Sequence, residues 1–312
     1  MTIKLTRRSA LRGAAALPLA AAAASAPAVA GGHGGTAPTP IARSFKLGAM
    51  PVNTLLDGSA LREGPKAMFG STASDEEFNQ IAEDNFIPTD AAQFYFTPTL
   101  VDTGAELVLF DTGLGQGGIQ KALAEVGVSP DAIDVVVFTH MHPDHIGGVM
   151  TDGAPTFPNA RYVMGGTEYN FWSAMDAGNR VGDMVAANVT PLVEKMSFID
   201  DGASIAPGIT AMASFGHTPG HMTYMLESEG QQLVLMGDSV AHYVWSFSRP
   251  DWPFRFDADG EAAAATRRRL LGMLAADKVP MIGYHMPFPA AGYVETRGDG
   301  FRFVPVSYQM MG

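Results

Sequence analysis

The chain has 312 residues, 20 basic and 32 acidic side chains for a net charge of −12, and no cysteine. An acidic surface repels phosphate backbones, which argues against nucleic acid as substrate or partner. Without cysteine there can be no disulfide, no thiolate metal site and no thiol nucleophile.

In chain order, residues 1–30 come first. Thr6-Arg7-Arg8-Ser9 precedes an alanine-rich apolar stretch that ends in Ala28-Val29-Ala30, a small-x-small cleavage pattern. This reads as a twin-arginine signal, which implies a periplasmic or secreted protein, contact with the twin-arginine export machinery and no stable membrane anchor. The leader carries four basic residues, so its removal leaves 16 basic against 32 acidic side chains, a balance of −16. Residues 31–43 are rich in Gly and Pro and read as a flexible lead-in. Residues 44–312 then form one domain.

Within that domain short apolar runs alternate with turn signals: FKLGAM, FYFTPTLV, ELVLFDTG, DVVVFTH, RYVM, ITAMASFG, TYMLES, QLVLMGD, MIGYH and FRFVPV. Helical spacing falls between them, in EEFNQIAEDN behind a Ser74/Glu77 capping box, in GIQKALAEVG, in TEYNFWSAMDAG and in GEAAAATRRRLLGMLAAD. The TRRRLL run at 266–271 reads as a solvated helix face. Strands with helices inserted between them suggest the α/β class, with two sheets face to face and helices outside, a four-layer αββα sandwich.

The densest chemistry is VVVFTHMHPDHIGG at 135–148. His140 and His142 lie two apart, so in extended backbone they project to one side and can share an ion. Pro143 turns the chain, and Asp144 and His145 open the next helix, where they can face a second ion. His217, Asp238 and His285 each end a later apolar run, where loops of layered folds bring functional side chains together. His140, His142 and His217 would hold one ion, Asp144, His145 and His285 the other, and Asp238 would bridge them. Nitrogen and carboxylate donors without thiolate suit two divalent ions, zinc first, with manganese, cobalt or iron feasible. Asp144 and Asp238 are the catalytic candidates. His221 and Asp111 are expected behind the ligands as hydrogen-bonding partners, and Phe171, Trp172 and His242 at a substrate pocket.

THMHPDH, with GHTPGH, GD and GYH downstream, resembles the metallo-β-lactamase-fold hydrolases. FTHMHPDHIGG, FPNA, MASFGHTPGHMTYMLESEGQQLVLMGD and GFRFVPVSYQ look closest to the methyl parathion hydrolases and their lactonase or arylesterase relatives. The resemblance covers roughly residues 45–310. It implies the αββα fold, the same seven ligands, and cleavage of a small-molecule ester-type substrate by hydroxide bridging two metals. A homodimer is compatible with it. The parathion-cleaving members line their cleft with aromatics. GLGQGGIQ and VGDMVAANV lack them here, which disfavours phosphotriesters relative to lactones and aryl esters. Among competing functions, β-lactamases generally lack the bridging aspartate, glyoxalase-type thioesterases add a C-terminal helical region, nucleases fit poorly with the charge, and di-iron oxygen reductases replace the second histidine with an acid. A noncatalytic metal-binding module is the alternative of a different class.

Overall fold

A computed structural model describes residues 41–306. The leader at 1–30, residues 31–40 of the lead-in and the final SYQMMG lie outside the described residues. Strand Ala42–Leu47 starts two residues inside the stretch read as flexible, because Ala42 is buried and pairs with Leu55.

Two seven-stranded mixed sheets make up the centre. The first runs in the order Ala42–Leu47, Met50–Leu55, Thr99–Asp102, Leu107–Phe110, Val135–Val137, Arg161–Gly165, Met196–Ile199. The second runs Ser204–Ala206, Ile209–Ala213, Met222–Ser228, Gln231–Leu235, Met281–Ile282, Ala291–Arg297, Gly300–Pro305. Strand periodicity sends successive side chains to opposite faces, and a run that is apolar throughout must therefore be covered on both. Val135 and Val137 share a buried cluster with Val108, Met222, Tyr224 and Leu226, whereas Val136 joins Leu109, Ile119, Tyr162 and Val185. Helices Gly118–Glu125, Gly166–Ser173 and Arg180–Asn188 cover the first sheet's outer face, and Leu270, Leu271 and Leu274 of Gly260–Asp277 pack with the second sheet's cluster. Each fully buried valine or leucine contributes about 1.5–3 kcal/mol. The layering is the αββα sandwich the sequence suggested.

Three segments resolve more finely than their periodicity implied. FKLGAM is a hairpin bend: Gly48 has φ +59°, and a Cβ there would sit 2.5 Å from the Ser228 carbonyl oxygen. FYFTPTLV divides at Pro98, which has no N–H to give a ladder. Ala91–Phe96 pairs with Gly58–Glu63 in a separate two-stranded sheet, while Thr99–Asp102 enters the first sheet. TEYNFWSAMDAG stops as a helix at Ser173, and Asn179 caps a new one by accepting from the Val181 and Gly182 N–H groups. The Ser74 cap forms, accepting from Glu77 N–H, but the Glu77 carboxylate turns away to Arg249.

Candidate metal centre

Thr139, His140 and His142 follow the C-terminal end of the interior strand Val135–Val137, and Pro143, the first residue of the short helix Pro143–Ile146, turns Asp144 and His145 back toward them. Two glycine-bearing segments make this bend possible. A Cβ on Gly148 would lie 2.1 Å from the Thr112 carbonyl oxygen, and one on Gly115 would lie 2.4 Å from that of Gly147. DTGLG and HIGG are thus backbone packed on backbone, which explains their glycines. From the second sheet, the loop after Ile209–Ala213 brings His217, the one after Gln231–Leu235 brings Asp238, and the one after Met281–Ile282 brings His285.

The donor atoms converge. His140, His142, His217 and Asp238 form one group whose ligand atoms lie within 4.8 Å of one another, and Asp144, His145 and His285 form a second. Asp238 lies between them, with Oδ1 3.3 Å from His145 Nε2 and Oδ2 3.0 Å from His285 Nε2 and 3.5 Å from His217 Nε2. Asp144, whose side chain is 23% exposed, is the member of the second group that reaches solvent. Burial, followed by repulsion from neighbouring imidazoles, holds His140 and His142 well below their usual titration range, as neutral donors require. Burial acts the same way on His145, but Asp111, Asp238 and Asp144 outweigh it and raise that histidine well above.

These residues fit a cation. His140 Nε2, His145 Nε2 and Asp238 Oδ1 are buried and have no hydrogen-bond partner within the protein. Leaving such atoms unpaired costs about 1–3 kcal/mol each, and a divalent ion among nitrogen and carboxylate donors removes that cost. The atoms behind them are already committed. Asp111 Oδ2 takes the His145 Nδ1 side at 2.8 Å and its Oδ1 accepts from Thr139 N–H. His285 Nδ1 faces the Tyr95 carbonyl at 2.8 Å. His221 Nε2 accepts from the Asp238 N–H at 3.0 Å. Asp111 and His221 are thus hydrogen-bonded to members of the donor groups, Asp111 to the His145 ring and His221 to the Asp238 backbone.

The family model for the metallo-beta-lactamase superfamily matches residues 97–283, well over half of the chain. The chain belongs to that superfamily. It is a metal-dependent hydrolase of the metallo-beta-lactamase fold. An N-acyl homoserine lactonase from Bacillus sp. is 26% identical over 197 residues, which are 58% of this chain and 73% of that protein. A ribonuclease Z from Mycobacterium bovis is 32% identical over 161 residues, 46% of this chain and 56% of the relative. Among solved structures, the dizinc quorum-quenching lactonase AidC superposes with a TM-score of 0.80 at 26% identity, covering 86% of this chain and 99% of AidC. The hydrolase AbOPH superposes with a TM-score of 0.80 at 24% identity, covering 86% and 99%, which speaks to the fold.

Around this metallo-beta-lactamase centre the structure revises four expectations. Aromatic rings stand against the donor histidines, and they come from segments other than GLGQGGIQ and VGDMVAANV. Phe94 and Phe96, two apart on one strand, stand edge-on to His285 with centroids at 5.2 and 5.5 Å, and Phe254 stacks on His217 at 5.9 Å. Tyr284 lies on His145 at 3.9 Å and donates its hydroxyl proton to the Asp144 carbonyl.

Trp172 meets His142 edge-on at 5.8 Å, while Phe171 packs on Trp172 and the outer core. His242 is seated deeper than a pocket wall. Its Nδ1 accepts from the Val244 and Trp245 N–H groups, its ring packs on Phe69, Tyr243 and Trp245, and burial pulls its titration down to about 3. Among the described residues its ring contacts lead to the donor histidines through Phe69 and then Phe94 or Phe254. The TRRRLL run is not uniformly solvated, because Arg267 is buried.

Glu168 went unnoticed in the sequence. This buried carboxylate accepts from Met141 N–H, Gly220 N–H and Trp172 Nε1–H at 2.7–2.9 Å, joining the two histidine-bearing loops. Its only sequence signal is a lone acid on an otherwise apolar helix face.

Proposed function

We propose that the protein is an exported hydrolase of carbonyl esters, lactones first and aryl esters second, that works with two divalent cations, zinc first. The observation that carries this reading is the pair of donor groups with Asp238 between them, a carboxylate whose Oδ2 lies 3.0 Å from His285 Nε2 of one group and 3.5 Å from His217 Nε2 of the other. When bound there, divalent cations supply Lewis acidity, which activates water as a nucleophile and polarises the carbonyl under attack. His140, His142 and His217 would hold one ion, Asp144, His145 and His285 the other, and Asp238 both.

The chain's own residues do the rest. Asp111 fixes the His145 ring through Nδ1, and Tyr95 fixes that of His285 through its carbonyl, so each imidazole presents Nε2 inward. The solvent-reaching Asp144 carboxylate orients the attacking water, accepts the proton that water loses and passes it to the departing oxygen. Ring opening of a lactone adds water across the C–O bond: the carbonyl carbon gains hydroxyl and the ring oxygen leaves as an alcohol. Trp172 beside His142, and Phe94, Phe96 and Phe254 on the other side, confine the substrate and exclude bulk water. The N-acyl homoserine lactonase relatives and the likeness to AidC support lactones as the first class to test. The same aromatic rings favour a second reading, phosphotriester cleavage, which needs flat walls to hold an aryl leaving group.

The deciding experiment is metal analysis of the purified mature chain, followed by kinetics on lactones, aryl esters, phosphotriesters, thioesters and nitrocefin. About two ions per chain and highest kcat/KM on a lactone or aryl ester are expected. Binding near one ion, or turnover confined to nitrocefin or thioesters, would overturn the reading. Export rests on the Arg7-Arg8 signature of the leader, and among the described residues no helix is long and apolar enough to cross a membrane. Arg7→Lys with Arg8→Lys should leave precursor in the cytoplasm, and normal export of that variant would contradict the assignment.

A further inference from the structure

Helix Gly260–Asp277 carries three consecutive arginines, and the first of them, Arg267, behaves unlike the two that follow. Arg268 pairs with Asp251 near the surface, and Arg269 donates to the Ala213 carbonyl from an exposed position. Arg267 is 1% exposed, and its whole guanidinium is used. Nε donates to the Ser239 carbonyl at 2.9 Å, Nη1 to those of Pro250 and Trp252 at 2.9 and 3.1 Å, and Nη2 to Asp257 Oδ2 at 3.1 Å. Asp257 is itself fully buried as a side chain. Its Oδ2 also accepts from Phe254 N–H at 3.0 Å, and its Oδ1 faces His217 Nδ1 at 3.0 Å.

The backbone reinforces the connection. Ala258 N–H donates to the His217 carbonyl and Asp259 N–H to that of Gly216, both at 2.9 Å. Gly216, at φ +125°, could not carry a Cβ, which would meet Ala263 N at 2.1 Å. The turn bearing His217 is thereby seated on the start of the helix that bears Arg267. Ser239, the other acceptor of the guanidinium, directly follows Asp238.

We propose that Asp257 and Arg267 are positioning residues of the metal centre, acting on His217 through Asp257 and on the Asp238 loop through the Ser239 carbonyl. This rests on the metal reading above. A buried arginine with four acceptors is held in one orientation, and it holds the Asp257 carboxylate in turn. With Oδ2 occupied by two N–H donors, Oδ1 is left to accept from His217. That places the imidazole proton on Nδ1 and leaves the Nε2 lone pair facing His142 Nδ1 at 3.0 Å and Asp238 Oδ2 at 3.5 Å. A ligand histidine needs this tautomer, and a carboxylate behind it is one way to fix it.

The argument distinguishes two substitutions at one position. In Asp257→Asn the two donors at Oδ2 claim the single amide oxygen, so the amide NH2 points at His217 Nδ1 and forces the ring proton onto Nε2. Asp257→Ala removes the carboxylate but leaves the tautomer free. Zinc affinity, measured by competition with a chromophoric chelator, should fall about 10- to 100-fold in the Ala variant and further in the Asn variant. The metal-free Asn variant should melt at or above the metal-free Ala variant. Arg267→Lys, which keeps the charge but cannot reach all four acceptors, should fold and show an intermediate loss of affinity.

A merely structural role predicts the opposite order, with the cavity-forming Ala worse than Asn in both measurements. That order, or wild-type zinc affinity in the Asn variant, would overturn the proposal. If the variants do not fold, the zinc-loaded wild-type protein supplies the test. A slowly exchanging imidazole proton on His217 Nδ1 in nitrogen-15 NMR supports the relay, and a proton-free Nδ1 overturns it. Failure of the wild-type chain itself to take up zinc would instead sink the metal reading.

Discussion

Asp238 donates its backbone N–H to His221 Nε2 while its carboxylate stands between the two donor groups. The lone pair that a sixth histidine could offer to a cation is thereby spent on the backbone of the residue whose carboxylate lies between the groups. His221 is buried, and burial pulls its titration down to about 3, so it stays a neutral acceptor.

Asp238→Ala should therefore remove bound metal and activity together, because it deletes the carboxylate that stands between the two groups. His221→Ala should keep most of its metal and lose about 1–3 kcal/mol of stability, the cost of an unpaired buried N–H. Metal content by elemental analysis and thermal melts of the two variants separate these outcomes; equal metal loss in both would refute the assignment.

Glu168→Gln exchanges an acceptor of three N–H groups for a side chain with one oxygen and two N–H donors. At least one donor among Met141, Gly220 and Trp172 must then face another donor. A loss of about 2 kcal/mol is expected, together with weaker metal retention, since Met141 and Gly220 belong to the loops that carry His140, His142 and His217. Denaturant melts with and without added zinc check it, and an unchanged midpoint would remove Glu168 from this role.

Phe256 is 53% exposed and packs edge-on against Phe254, which stacks on His217. Phe256→Ala should leave stability within about 0.5 kcal/mol but raise KM for lactones with long apolar acyl chains more than for short ones, with kcat little changed. A uniform effect across chain lengths would place the chain-binding surface elsewhere.

Chelation should lower Tm, and the loss should be recovered with added zinc, because ligand binding to the folded state alone stabilises it by about 2.7 kcal/mol at a free concentration 100 times Kd. Calorimetry over a zinc series tests this. A Tm independent of zinc would mean that the buried donors are satisfied in some other way.

The seven candidate ligands were legible because their signal is local: six positions of one loop hold four of them, and the other three each close an apolar run. The sheets were legible for the same reason, since VVV and LVLF can be buried only between layers. What stayed hidden is non-local. Phe94 and Phe254 are indistinguishable in sequence from ordinary core aromatics, and only the fold sets one against His285 and the other against His217. Arg267 opens a run of three arginines whose other two are exposed, so its neighbours masked it, and its partner Asp257 lies in a loop with no periodicity to read. The hairpin within FKLGAM depended on the left-handed backbone at Gly48, which a glycine permits without announcing.

The division of the chain between the sheets bears on how the centre is assembled. Every strand of the first sheet lies before Asp200 and every strand of the second after Ala203, so the molecule is two consecutive halves docked face to face. His140, His142, Asp144 and His145 belong to the first half, and His217, Asp238 and His285 to the second. Each donor group draws on both, which means that neither half offers a complete set of donors before docking. A cation captured there would act as a rivet across the seam, and prising the halves apart would require giving it up.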